Sequence, residues 1–102
     1  MAFTVRIELH GADYDDYNQL HDAMEGLGFR RTLKGSDGVN YQLPTAEYDY
    51  PRESTGDKVR ELASQAAKCT RRTFGILVTE AGSRWWAGLS KQERKNQIGS
   101  TY

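Results

Sequence analysis

The sequence predicts one small α+β domain, with two helices on one face of a four-stranded antiparallel sheet. Apolar and polar residues alternate strictly from residue 2 to residue 10, which is the period of a strand with one buried face. Apolar residues recur at helical spacing within 14–27 and again within 55–69. Short alternating segments between and after them supply the other strands. At 102 residues, the chain is long enough for one modest core.

The first strand and the first helix have the clearest patterns. The apolar face of the strand is Phe3, Val5, Ile7 and Leu9. Asp13 fits a helix N-cap, and Asp15 and Asp16 would lie in the first turn, where the helix dipole favours negative charge. The buried stripe of this helix is predicted to be Tyr17, Leu20, Met24 and Leu27. His21 lies off that stripe, so we expect it at the surface.

A hairpin is predicted next, with strands at 29–34 and 39–43 around a glycine-containing turn. Arg31 falls on its apolar side and does not fit the pattern. Pro44 ends the second strand, and residues 45–53 are expected to form a loop. The second helix would begin near Ser54 or Thr55, with Cys69 as a packed thiol on its apolar stripe.

Residues 73–79 form the last predicted strand, so residues 1–82 are expected to be the folded domain and 83–102 a C-terminal tail. The order strand, helix, strand, strand, helix, strand is that of the ferredoxin-like βαββαβ arrangement, in which the first and third strands are central. The polar strand faces would form an open platform. Its residues would be Thr4, Arg6, Glu8, His10, Arg30, Thr32, Lys34, Asn40 and Gln42.

The amino-acid composition says little about function, whereas the pattern of apolar and polar residues predicts the fold. Fourteen basic and fourteen acidic residues balance, although the charges are acidic within 13–25 and basic within 29–34. A single cysteine excludes an internal disulfide and suits a cytoplasmic protein. The sequence has no signal peptide and no membrane span, so no membrane partner is expected. Nucleotide-binding glycine loops, nucleophile elbows and zinc-ligand spacings are absent.

Two candidate sites follow from the predicted strand faces. Arg6, Arg30 and Lys34 could contact nucleic-acid phosphates, although this face lacks stacking aromatic residues and its pattern by itself favours an ordinary solvated surface. His10 could act as a general acid or base, with Arg6 stabilising charge on a phosphate. Asp13 could join this catalytic set or bind Mg²⁺, whereas helix capping explains it without a metal. No cofactor or resident metal is otherwise predicted.

The tail is the third candidate site. Trp85, Trp86 and Leu89 are costly to leave in water, so they should either cover the open sheet or form a homodimer interface. The sequence favours neither arrangement over the other.

The segments FTVRIELHGADYDDYNQLHDAMEGLGF, GVNYQLPTAEY and TFGILVTEAGSRWW resemble the GhoS family of small bacterial proteins over about residues 3–86. The resemblance implies a ferredoxin-like fold and the RNA-cleaving role of an antitoxin in a type V toxin–antitoxin pair. The fold is shared with small CRISPR-associated endonucleases, which act as dimers and commonly carry an aspartate where this sequence has His10.

Three hypotheses therefore remain open. The first is an RNA-binding protein, acting as an antitoxin-like regulator, that could also be an endoribonuclease on single-stranded RNA. The second is a non-catalytic protein-binding module, such as a mobile-element inhibitor. It would use the acidic residues of the first helix, namely Asp13, Asp15, Asp16, Asp22 and Glu25. The third is a structural homodimer joined by the tail.

Overall fold

The computed structural model describes residues 2–92 and contains two helices and five strands within them. The elements in chain order are β1 (Ala2–Leu9), α1 (Tyr14–Gly26), β2 (Thr32–Lys34), β3 (Asn40–Gln42), β4 (Glu47–Tyr50), α2 (Gly56–Lys68) and β5 (Phe74–Ala81). The predicted α+β class, with two helices and antiparallel strands, is confirmed.

The strands form two antiparallel sheets. β1 lies between β4 and β5 in a three-stranded sheet, and β2 pairs with β3 in a separate hairpin. Thr4 marks the centre of the larger sheet, because it is paired with Asp49 on one side and with Thr79 on the other. Two hydrogen bonds of 2.8 and 2.7 Å between the backbones of Arg30 and Asp49 hold the start of the hairpin beside β4.

The core lies between the helices and the face of β1 that the alternation predicted to be buried. Phe3, Val5, Ile7 and Leu9 are at most 5 % exposed. They pack with helix side chains that include Leu20, Met24, Val59, Ala63 and Ala66. Tyr17 and Leu27 are partly buried against the same core, so the predicted stripe of α1 is confirmed.

The third strand of the sheet is not where the sequence predicted it. The neighbour of β1 is β4, within the expected loop 45–53. The predicted hairpin between 29–34 and 39–43 is confirmed by the pairing of β2 with β3, but its second strand does not pair with β1. Tyr48 and Tyr50 project into the core and are 0 % and 8 % exposed, and the intervening Asp49 lies on the opposite face. The burial of two aromatic rings therefore fixes this short segment in the sheet, and a continuous four-stranded sheet does not form in the described chain.

Two further expectations are wrong. His21 is buried, not at the surface, because α1 turns it towards Tyr48 of β4, and it is only 6 % exposed. Cys69 is exposed, not packed, because it is the C-cap that follows α2.

Part of the tail folds back over the domain. Backbone hydrogen bonds join Gln42 N–H to the carbonyl of Ser90 (2.7 Å) and Gln92 N–H to the carbonyl of Asn40 (2.9 Å). Residues 90–92 thus extend along the edge of β3. The rest of the predicted tail, 93–102, lies outside the described residues. Neither helix in 2–92 has the length and apolar character needed to cross a membrane.

Candidate functional site

An open groove of about 560 Å³ lies between the turn of the β2–β3 hairpin and the start of the tail. We call it the tryptophan groove. Its lining includes Lys34, Asp37, Tyr41, Arg84, Trp85 and Trp86. Aromatic rings and basic side chains therefore share one concave surface. Of the aromatic residues, Tyr41 belongs to β3, and Trp85 and Trp86 belong to the tail.

Arg84 anchors the start of the tail on the open face of the sheet. Its Nε donates to Thr4 Oγ1 (2.9 Å), and its Nη2 donates to the Phe3 carbonyl (3.0 Å) and to Asp49 Oδ1 (2.8 Å). Asp49 is 7 % exposed although it lies on the face opposite the core, so this charge-assisted pair gives a buried carboxylate its partner. The anchor fixes the backbone immediately before Trp85.

The floor of the groove is held together by contacts between side chains. The rings of Trp86 and Tyr41 are tilted against each other with centroids 5.7 Å apart, which is a favourable aromatic contact. The Tyr41 hydroxyl donates to Asp37 Oδ2 at 2.6 Å, and this bond raises the pKa of Tyr41 and lowers that of Asp37. A Cβ at Gly35 would lie 2.7 Å from Asp37 Oδ1 and 2.9 Å from the Tyr41 ring, so this packing requires glycine.

Trp85 differs from its neighbour in being open to solvent. It is 88 % exposed, whereas Trp86 is half-buried against Tyr41. Trp85, Trp86 and Leu89 all line a smaller apolar pocket with Leu43 and Pro44. The three residues predicted as a homodimer interface therefore border this pocket, and Trp85 leaves most of its indole exposed.

The predicted catalytic residues have different local roles. His10 is exposed, with Nδ1 3.0 Å from Thr73 Oγ1 and Nε2 3.5 Å from Glu8 Oε1. Arg6 lies on the same face of β1, but four residues along a strand correspond to about 13 Å. Contact of both side chains with a single phosphate would therefore require a long reach by Arg6.

Asp13 caps α1. Its Oδ1 accepts from Asp16 N–H (2.9 Å), and Asp16 Oδ2 accepts from Asp13 N–H (3.1 Å), which is a capping box. Asp16 Oδ2 also accepts from Arg72 Nε at 2.8 Å. These hydrogen bonds lower the pKa of Asp16. Within residues 2–92, no group of three or more His, Cys, Asp or Glu side chains is arranged so that it could hold a metal ion.

The three predicted phosphate contacts are spread over the molecule. Lys34 lines the tryptophan groove, and Arg6 lies beside the exposed Leu77 of β5 on the open sheet face. Arg30 lies beside β4 and borders a different cleft. The single platform of the sequence prediction is thus replaced by separate basic regions.

The sequence prediction also missed a buried polar cluster behind β4. His21 Nδ1 lies 2.6 Å from the Tyr48 hydroxyl, and burial together with the nearby charge of Arg31 lowers the pKa of His21. The alternation of Tyr48, Asp49 and Tyr50 between two prolines is a strand pattern. It could have indicated that Tyr48 belongs to a strand and faces the core.

The fold and groove define a small α+β protein with an exposed basic and aromatic surface. No protein-family model matches the sequence, and a search of curated proteins found no match.

Proposed function

We propose that this protein binds single-stranded RNA through the tryptophan groove. The observation that carries the proposal is the 88 % exposed indole of Trp85, in a groove that Lys34 also lines. Proteins that bind single strands combine basic side chains for phosphates with aromatic rings on which bases stack. Each stacked base typically contributes about 1–3 kcal/mol.

Preorganisation supports this role. The three hydrogen bonds of Arg84 hold the backbone before Trp85, and the contact between Trp86 and Tyr41 holds the backbone after it. An aromatic side chain on a fixed backbone loses less conformational entropy on binding than one on a free tail. The exposed indole is therefore suited to stacking on a base.

The resemblance to the GhoS family supports RNA as the nucleic acid and an antitoxin-like regulator as the biological role. Within this proposal, Arg6 and Arg30 provide phosphate contacts beyond the groove. RNA cleavage would be an additional activity, with His10 as its acid or base, because an imidazole can both donate and accept a proton.

The direct test is fluorescence anisotropy of a labelled single-stranded RNA with the full chain. We expect Trp85→Ala to weaken binding by about tenfold or more, since a stacked base is lost. Lys34→Gln should weaken binding and reduce the slope of log K against log salt by about 0.7, because one phosphate contact is removed. Tyr14→Ala is the matched control, as it removes a half-exposed tyrosine from α1.

Several outcomes would reject the proposal or redirect it. Equal affinity of Trp85→Ala and Tyr14→Ala would exclude the groove as the site. Sedimentation of the parent and Trp85→Ala separates the two roles of this residue, because a dimer anchor would change the mass without RNA.

Cleavage products in the same incubations, with and without Mg²⁺, should disappear in His10→Ala if this histidine is catalytic. Absence of RNA binding altogether would favour the protein-binding module.

A further inference from the structure

A second concave region lies beside the β2–β3 hairpin. This cleft of about 520 Å³ is bordered by Thr32, Asn40 and Gln42, which share one face of the hairpin. Three arginines also border it, Arg30, Arg31 and Arg52, and Glu25 is its one acidic lining residue. We call it the arginine cleft.

The three arginines are placed by different parts of the fold. Arg30 is held by its two backbone hydrogen bonds to Asp49. The backbone of Arg31 accepts from Gln42 Nε2 at 3.0 Å, which ties it to β3. The guanidinium of Arg52 lies against Gly28, where φ is +96° and an added Cβ would be 3.4 Å from Arg52 Cζ. Glycine at this position therefore leaves room for the arginine side chain.

Arg31 has unused hydrogen-bonding capacity. Its Nε and Nη2 atoms are buried and have no hydrogen-bond partner within the described chain. Burial also lowers the pKa of Arg31, which reflects the cost of holding its charge away from water. Arg31 borders the cleft, so an anion bound there would offset part of the cost of burying its charge.

We propose that the arginine cleft binds a terminal phosphate group, either on a free nucleotide or at the end of an RNA strand. Guanidinium groups recognise phosphate through paired hydrogen bonds, and a dianion suits three arginines better than a single carboxylate does. The volume is in the range of small-molecule sites and exceeds what an inorganic ion needs. Asn40 and Thr32 add polar groups for a hydroxyl-bearing ligand. The cleft shares no lining residue with the tryptophan groove.

Calorimetric titration of the full chain with adenosine 5′-monophosphate, inorganic phosphate and adenosine tests the proposal. We expect both phosphate compounds to bind and adenosine alone not to bind. Arg31→Gln and the exposed Arg52→Gln should each weaken binding by about tenfold or more, since each removes a charge-assisted contact. Arg60→Gln, in the α2 pair with Asp57, is the control that should bind like the parent.

RNA strands with and without a 5′-phosphate separate the two sources of the phosphate. A stronger effect of Arg52→Gln on the phosphorylated strand would assign the cleft to RNA ends, and equal effects with tight mononucleotide binding would assign it to free nucleotides. Failure of both phosphate compounds and of the phosphorylated strand to respond to Arg52→Gln would overturn the proposal. The unphosphorylated strand reports on the tryptophan groove, so failure of the two proposals can be distinguished.

Discussion

His21 and Tyr48 form a polar contact inside an otherwise apolar core. Burial raises the pKa of Tyr48, so its hydroxyl keeps its proton and can donate to His21 Nδ1. Burial and the positive charge of Arg31 lower the pKa of His21 from its ordinary 6.5 to about 4. Tyr17, one turn earlier in α1, also faces this histidine, with its ring centroid 6.4 Å from that of His21. His21 is therefore neutral in the folded protein near neutral pH.

This histidine should make the fold sensitive to mild acid. Its pKa is lower folded than unfolded, so the unfolded chain takes up the proton first, and stability falls as the pH drops from about 6.5 to about 4. The difference corresponds to about 3 kcal/mol. Urea unfolding at several pH values should show this loss in the parent and in His10→Gln, but much less of it in His21→Gln. The same pH dependence in both variants would contradict the assignment.

Arg84 should be more important for stability than an ordinary surface arginine. Arg84→Met removes three hydrogen bonds and leaves the buried Asp49 carboxylate without its partner, which we expect to cost about 2–3 kcal/mol. Arg72→Met breaks the more exposed pair with Asp16 and should cost about 1 kcal/mol or less. Chemical denaturation of both variants measures the difference. If the two cost the same, Arg84 does not anchor the tail as described.

At the scale of elements, α1 depends on its cap. Asp13→Ala removes the side chain that accepts from Asp16 N–H and should destabilise the protein by about 1 kcal/mol. Asp15→Ala also removes a first-turn charge but not this hydrogen bond, so it should cost less. Thermal unfolding of the pair measures the cap separately from the dipole effect. A larger loss for Asp15→Ala would show that charge, not capping, explains the acidic start of the helix.

The elements with long or regular patterns could be predicted from sequence. β1, the two helices and β5 appear within two or three residues of their expected bounds, because periodicity and capping are local signals. β4 could not be assigned with the same ease, because it is only four residues long and lies in a short segment between Pro44 and Pro51 that resembles a loop. Its position is set by the long-range burial of Tyr48 and Tyr50 in the core.

The candidate groove could be predicted only in parts. Lys34, Trp85 and Trp86 were recognisable as binding or interface residues, but no local pattern shows that the tail folds back onto β3. That arrangement depends on contacts between distant segments, such as the bond from Gln42 N–H to Ser90 and the anchor of Arg84 on Thr4. The role of Arg84 could not have been distinguished from that of any other basic residue.

For the whole molecule, a net charge of zero coexists with two separate basic regions. Acidic side chains are concentrated on α1, whereas Lys34 and the three arginines of the cleft lie around the hairpin. Long-range attraction to RNA should therefore be modest, and local contacts should determine affinity. RNA binding should therefore depend mainly on one side chain, the indole of Trp85.

The most direct measurement is a titration of the isotopically labelled protein with a short single-stranded RNA, followed by NMR of the two indole N–H signals. We expect a large shift of the Trp85 signal, a smaller shift for Trp86, and loss of the binding response in Trp85→Ala. RNA binding that leaves the Trp85 signal in place, with shifts confined to Arg6 and its neighbours on β1, would contradict it.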